Sequence, residues 1–196
     1  MKKNRTTLLV ILAVVVLVVL WGVSIYNGLV SKEEAINGQW ANVEASYQRR
    51  IDLIPNLVST VKGYADFEQE TLTQVIEARA KATSMTIDPS NLSPQAITQF
   101  QAVQDELSSA LSRLLVTVER YPDLNANQNF LELQAQLEGT ENRIAVQRMR
   151  FNDLVKSYNA SIRRIPRSFI ASIGGFEQRG YFESAPGAEA APQVAF

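Results

Sequence analysis

A chain of 196 residues without a single histidine or cysteine lacks the commonest general base, the commonest metal ligand and any thiolate nucleophile. Its formal charge of −1 offers no electrostatic footprint for nucleic acid, and 46% apolar residues suffice for a folded core.

The chain opens on a membrane-length apolar run. No charged residue lies between Arg5 and Lys32, and Leu8 to Val23 is Leu, Val and Ile broken only by Ala13, Trp21 and Gly22. A spanning helix needs about 20 mostly apolar residues, because each adds about 1.5 Å and the hydrocarbon layer is about 30 Å thick. Thr6 to Tyr26 meets that requirement, with Leu8 inside the span and Trp21 and Tyr26 as interfacial aromatics. A cleaved secretory signal is the rival reading, since Lys2, Lys3 and Arg5 form a positive start and Gly22, Val23 and Ser24 a weak cleavage site. The uncharged run continues past that site, and there is no cysteine for a lipid anchor.

Charge sets the expected orientation. Lys2, Lys3 and Arg5 precede the span, whereas Lys32, Glu33 and Glu34 follow it with no positive excess, so the N-terminus is expected in the cytoplasm and the body outside it. Setting those three cations aside leaves 16 Lys and Arg against 20 Asp and Glu, a net −4 that argues against nucleic acid or anionic lipid as ligand of the body.

From Ser31 on, four segments repeat apolar residues at helical spacing, and none alternates as a strand does. In the first, Leu29, Ile36, Trp40, Val43, Tyr47, Ile54, Leu57, Val61 and Tyr64 step by three and four, with Glu33 and Arg50 in the two gaps. No decisive breaker separates it from the span, so the two should form one rod, weakened at Pro55, which has no donor for the carbonyl of Ile51. The second runs from an Asp66 cap, turns Leu72, Val75, Ile76 and Ala82 inward and ends between Lys81 and Met85. Ser93 caps the third with Pro94 in first position; Ile97, Phe100, Leu107, Leu111, Leu114, Val118 and Tyr121 fill its seam, Gln104 is polar, and Pro122 stops it. After a turn at 123–125 the fourth carries Phe130, Leu133, Leu137, Ile144, Phe151, Leu154, Tyr158, Ile162 and Ile165, with Thr140 and Gln147 in its gaps. Short connections make neighbouring helices antiparallel. The expected fold is therefore all-α: an N-terminal transmembrane helix, an antiparallel up-and-down four-helix bundle and a disordered C-terminal tail.

Several of these residues also carry a resemblance. Trp40, the run from Gln48 to Val58, Val61-Lys62-Gly63-Tyr64-Ala65 and Ala78-Arg79 are followed by Tyr121-Pro122-Asp123-Leu124, Leu133-Gln134, Leu137 to Ala145 and Tyr158-Asn159. In that order they resemble the LemA family, over nearly the whole chain. The resemblance implies a bacterial membrane protein with an antiparallel helical bundle and implies no reaction. Phe67 and Phe151 stand where a His and a Tyr are frequent in the family. The chain thus divides into a cytoplasmic N-terminus at 1–5, a transmembrane helix at 6–27, a LemA-like bundle at 28–173 and a flexible tail at 174–196.

Catalysis finds little support. No Ser-x-x-Lys motif or strand-turn-helix elbow is present. Glu138 and Glu141 share a helix face, but a paired-metal bundle site also draws on Glu-x-x-His motifs, which this chain cannot form. They are expected as ion-pair partners of Arg143, Arg148 or the first helix, leaving no catalytic, metal or cofactor residues and a metal-dependent hydrolase as a remote alternative. The polar seam entries are expected to fix helix register or to line a hydrated stretch. Gly139, inside the fourth helix, implies a close neighbour such as Trp40 or Tyr47.

Two functions remain. One is a non-enzymatic scaffold or protein-interaction module at the cell envelope; the other is a membrane-organising protein that oligomerises laterally as a homo-oligomer. Partners are expected to be the bilayer, through the N-terminal helix, and an envelope protein, such as one containing a PDZ domain. Val194 and Phe196 have the alternate spacing that a sheet edge reads in a terminal peptide. Ile162 to Ile173 interleaves Arg163, Arg164 and Arg167 with apolar residues; the expectation is that it closes the end of the bundle, with membrane contact as the alternative.

Overall fold

The computed structural model describes residues 2–63 and 68–183, all of them helix, turn or extended connection, with no strand among them. Six α-helices appear among the described residues: α1 (Lys2–Lys62), α2 (Gln69–Ser84), α3 (Pro94–Val118), α4 (Pro122–Asn125), α5 (Gln128–Arg163) and α6 (Arg167–Ile173). A 3-10 turn, Pro89–Asn91, precedes α3.

The apolar run and the first seam are one helix of 61 residues, as the absence of a breaker predicts. Its first part is long and apolar enough to cross a membrane, and none of the residues in that apolar window is buried. From Leu29 onward the same helix turns Ile36, Trp40, Val43, Tyr47, Ile54, Leu57 and Val61 into the core. Pro55 lies inside it without ending it. The carbonyl of Ile51, which Pro55 leaves without its helical donor, instead accepts Nε of Arg79 on α2 at 3.2 Å.

Paired contacts fix the helix directions. Along α1 and α5, Lys32 meets Ser157, Gln39 meets Gln147 and Arg50 meets Glu141, so the two run antiparallel. Trp40 meets Phe100 and Arg50 meets Gln104 and Ser108, so α3 runs with α1. The core divides into two clusters. The one far from the apolar span joins Ile54, Leu57 and Val61 to Leu72, Val75, Leu107, Leu114, Leu124 and Phe130. The nearer one joins Trp40, Val43 and Tyr47 to Leu92, Ile97, Phe100, Phe151, Val155, Tyr158 and Phe182.

Length explains the division. At 16 residues α2 is about 24 Å long, whereas the 36 residues of α5 span about 54 Å. Beside the near half of α5 there is no α2 to close the core. Residues 85–92 and 176–183 take its place, through Ile87, Leu92 and Phe182.

This corrects the expected tail. Residues 176–183 are not its flexible beginning: they lie in extended conformation against α3 and α5, and Phe182 is buried. Smaller corrections follow from helix phase. Ile76 and Ile165 are exposed, and Ala78 takes the inward place on α2. The turn at 123–125 is a single helical turn whose Leu124 is buried. Ser93 caps α3 as predicted, its hydroxyl accepting the Ala96 amide at 3.3 Å. The predicted cap Asp66 lies outside the described residues; α2 begins after Glu68.

Gly139 also departs from expectation. A side chain at that position would meet nothing within 4 Å, so neither Trp40 nor Tyr47 packs over it. With helical backbone and open space, Gly139→Ala should raise stability by about 0.5 to 1 kcal/mol through helix propensity and a less disordered unfolded chain. A thermal melt of the variant in detergent tests this, and a lower midpoint would show a contact there.

Candidate functional site

Two arrangements on α1, α3 and α5 bring together several buried and half-buried polar residues. The first surrounds Arg50, whose side chain is only 1% exposed. Its Nη1 donates to Ser108 Oγ at 2.6 Å and to Glu141 Oε1 at 2.8 Å. Its Nη2 donates to Gln104 Oε1 at 2.6 Å and to the Gln104 carbonyl at 3.2 Å, and the guanidinium lies over the Tyr47 ring at 5.1 Å. One side chain thus ties α1 to both α3 and α5. A planar cation with a fixed fork of donors suits this; an ammonium could not reach so many acceptors at once.

The same contacts dispose of the acidic pair. Glu141 is taken by Arg50 of the first helix, while Glu138 accepts Nε2 of Gln134 at 3.1 Å. Among the described residues no group of three or more acidic residues could hold a metal ion. Of the other polar seam positions, Gln147 joins α5 to α1 by accepting Nε2 of Gln39 at 2.8 Å, and Thr140 bonds within its own helix, donating to the Gln136 carbonyl at 2.7 Å.

The second arrangement is a groove holding an extended piece of chain. Three side-chain amides each grip the backbone at two points. Asn159 donates to the Arg179 carbonyl at 2.9 Å and accepts the Arg179 amide at 3.0 Å. Asn152 does the same for Phe182 at 2.8 and 2.9 Å, and Gln101 for Glu183 at 3.1 and 2.9 Å. Arg148 Nη2 adds a bond to the Glu183 carbonyl at 2.7 Å. A carboxamide carries one donor side and one acceptor side, which is what an extended backbone presents.

Side chains add selectivity to this backbone grip. Phe182 enters an aromatic box made by Trp40, Phe100 and Phe151, at centroid distances of 6.0, 6.4 and 5.5 Å. Arg179 pairs with Glu33 and donates to the Ser90 carbonyl at 2.6 Å. Gly180 sits where a side chain would come within 2.7 Å of the Pro94 Cα and 2.9 Å of the Ser93 carbonyl, and its amide donates to the Leu92 carbonyl at 2.9 Å. No residue with a Cβ fits there unless the backbone moves. The sequence reading missed this groove, because single amides carry no periodic signal. The available clue was the run Arg179-Gly180-Tyr181-Phe182, a glycine beside aromatics in a supposedly coreless tail.

Tyr158 is buried in the near core cluster, close enough to Glu33 and Arg179 to feel both charges. Burial, reinforced by the Glu33 carboxylate and opposed by Arg179, pushes its hydroxyl up to about 12. The unfolded chain ionises a tyrosine near pH 10, so this contribution to stability is complete below pH 10 and is lost between about 10 and 12. Tyr158→Phe should therefore shift the midpoint of alkaline unfolding upward, as followed by circular dichroism. An unchanged midpoint would show that other groups set it.

Of the sequence-predicted site residues, Leu8, Trp21 and Tyr26 are all exposed along the apolar part of α1. Tyr26 makes an edge contact with Phe176 at 5.4 Å. Val194 and Phe196 lie outside the described residues.

The chain is similar to several known proteins. Magnetosome protein MamQ of Magnetospirillum gryphiswaldense is 26% identical over 180 residues, covering 82% of this chain and 65% of that protein. Magnetosome protein MamQ 2 of Paramagnetospirillum magneticum is 25% identical over 182 residues, with the same coverage. Protein LemA of Metamycoplasma hominis is 24% identical over 136 residues, covering 69% of this chain and 58% of that one. The chain thus spans 58 to 65% of the length of these relatives. The LemA family model matches residues 39–196, a region that holds the Arg50 contacts and all three clasping amides. By that match the chain belongs to the LemA family.

Proposed function

We propose that the protein is a non-enzymatic scaffold or protein-interaction module, anchored in the plasma membrane by one span, with its N-terminus in the cytoplasm and an antiparallel helical bundle outside. The observation that carries this reading is the continuity of α1. One helix supplies both the apolar segment and a buried face of the body, with no linker between them. A helix is stiff over this length, so the body is held at a set height above the bilayer and cannot swing as it would on a flexible tether. The groove that clasps residues 176–183 supports the interaction role, since it recognises extended backbone by the chemistry peptide-binding modules use.

The test has two parts. A reporter active only in the cytoplasm, fused after Phe196, should be silent, and strong activity would overturn the orientation. Proximity labelling from the intact chain should enrich a defined set of envelope proteins. The same set obtained with the body released from its anchor would count against a scaffold of fixed height. Labelling confined to other copies of the chain would favour lateral organisation instead.

A further inference from the structure

Beside the point where the apolar part of α1 ends, α6 packs against it and carries an apolar face that covers nothing. Ile165, Phe169 and Ile173 are 80, 66 and 86% exposed. Phe169 and Ile173, four apart, share one face of α6, and Ile165 stands two residues before the helix begins. Other positions are occupied: Ala171, on the opposite face, is buried in the near core cluster, and Ile170, to one side, lies against Gly22, its Cδ1 3.7 Å from where a Cβ would be.

The level of α6 along α1 is fixed by several contacts. Besides Ile170 at Gly22, a side chain on Gly174 would come within 3.1 Å of the Tyr26 ring, and Phe176 touches that ring. Arg167 lines a small cavity with Trp21, Ile25, Gly28 and Lys32. A span from Thr6 to Tyr26 rises about 31 Å, against a hydrocarbon layer of about 30 Å. Gly22 to Tyr26, and α6 with them, therefore fall at the edge of the hydrocarbon, where headgroups begin. Arg163, Arg164 and Arg167 are exposed in the same segment, and their long stems let the charge reach phosphates while the apolar face enters the acyl boundary.

We propose that α6 and the residues leading into it form an interfacial foot: Ile165, Phe169 and Ile173 seat in the bilayer surface, and Arg163, Arg164 and Arg167 engage anionic phospholipid headgroups. This rests on the reading of α1 as a membrane anchor. The foot gives the rod a second point of attachment, which fixes the direction in which it tilts as well as its height. Which side of the body faces along the membrane and which faces away is then set by the lipid contact. The segment both closes the near end of the body and carries the membrane contact that the sequence offered as its alternative.

The chain has no cysteine, so single cysteines report cleanly. Leu12→Cys, Phe169→Cys and Met149→Cys variants of the full chain, each carrying a nitroxide, would be reconstituted in vesicles of phosphatidylcholine with phosphatidylglycerol. Collision with oxygen and with a water-soluble nickel chelate then gives the depth of each label. Leu12 should be deep, Met149 aqueous and Phe169 between them, shielded several-fold from nickel relative to Met149. A deep Leu12 with Phe169 as accessible as Met149 overturns the foot while the anchor stands. An aqueous Leu12 overturns the anchor and the foot with it. Removing phosphatidylglycerol, or replacing the three arginines by Gln, should move Phe169 toward water; the same depth under both conditions overturns the role given to the arginines.

Discussion

Arg50→Ala should lower the unfolding free energy of the full chain in detergent by about 3 to 5 kcal/mol, measured by chemical denaturation followed by circular dichroism. The loss has three sources. The stem of Arg50 fills core volume beside Tyr47, so truncation leaves a cavity. Gln104, itself buried, loses its partner and keeps its desolvation cost. The α1, α3 and α5 contacts also lose the bonds that met at one guanidinium. Glu141 contributes less to the deficit, because its side chain is 45% exposed and water can solvate it. Glu141→Gln should accordingly cost only about 0.5 to 1.5 kcal/mol, since its amide oxygen can still accept from Arg50 and water screens the half-exposed position. The contrast is Arg50→Met combined with Gln104→Leu. Replacing both partners by apolar groups of similar volume leaves nothing buried and unpaired, and should recover much of the loss. If the double variant is no more stable than Arg50→Ala, the network does more than satisfy its own polar groups.

Phe182→Ala should cost about 3 to 5 kcal/mol, the usual range for emptying a buried phenylalanine site. The removed ring contacts Trp40, Phe100 and Phe151, and with it goes the reason for residues 176–183 to stay down. The amide grip of Asn152, Asn159 and Gln101 would remain, yet each such bond contributes only about 0.5 to 1.5 kcal/mol against the entropy of ordering an extended segment. The variant should therefore be cleaved between 176 and 183 by a protease that leaves the parent intact, before the helices unfold. The exposed neighbour makes the control: Tyr181→Ala should change stability by about 0.5 kcal/mol or less. Equal protease resistance in the Phe182 variant and the parent would mean that the amides alone hold the segment.

Much of this architecture is legible in the sequence, because it follows from local rules. An uncharged run of membrane length, seams at steps of three and four, and Ser93 with Pro94 at a helix start are read from spacing alone; the run and the seams are helical and Ser93 caps α3, while Ile76 and Ile165 turn outward. The long rod was legible for the same reason: nothing between Tyr26 and Ser31 can end a helix decisively.

What tertiary structure decided was the meaning of residues that carry no period. Pro55 reads as a weak point in sequence; in the fold, Arg79 supplies the donor it lacks. Arg50 and Glu141 lie 91 positions apart, and only the antiparallel packing of α1 and α5 makes them a pair. Gly139 looks like a packing notch until the helix phase turns it to solvent. Phe182 stands in a stretch whose composition promises no core, and it is buried because α2 is too short to cover the near half of α5. Spacing along one helix determines which face is apolar; it cannot say what arrives to cover that face, since that depends on the lengths and directions of the other helices together.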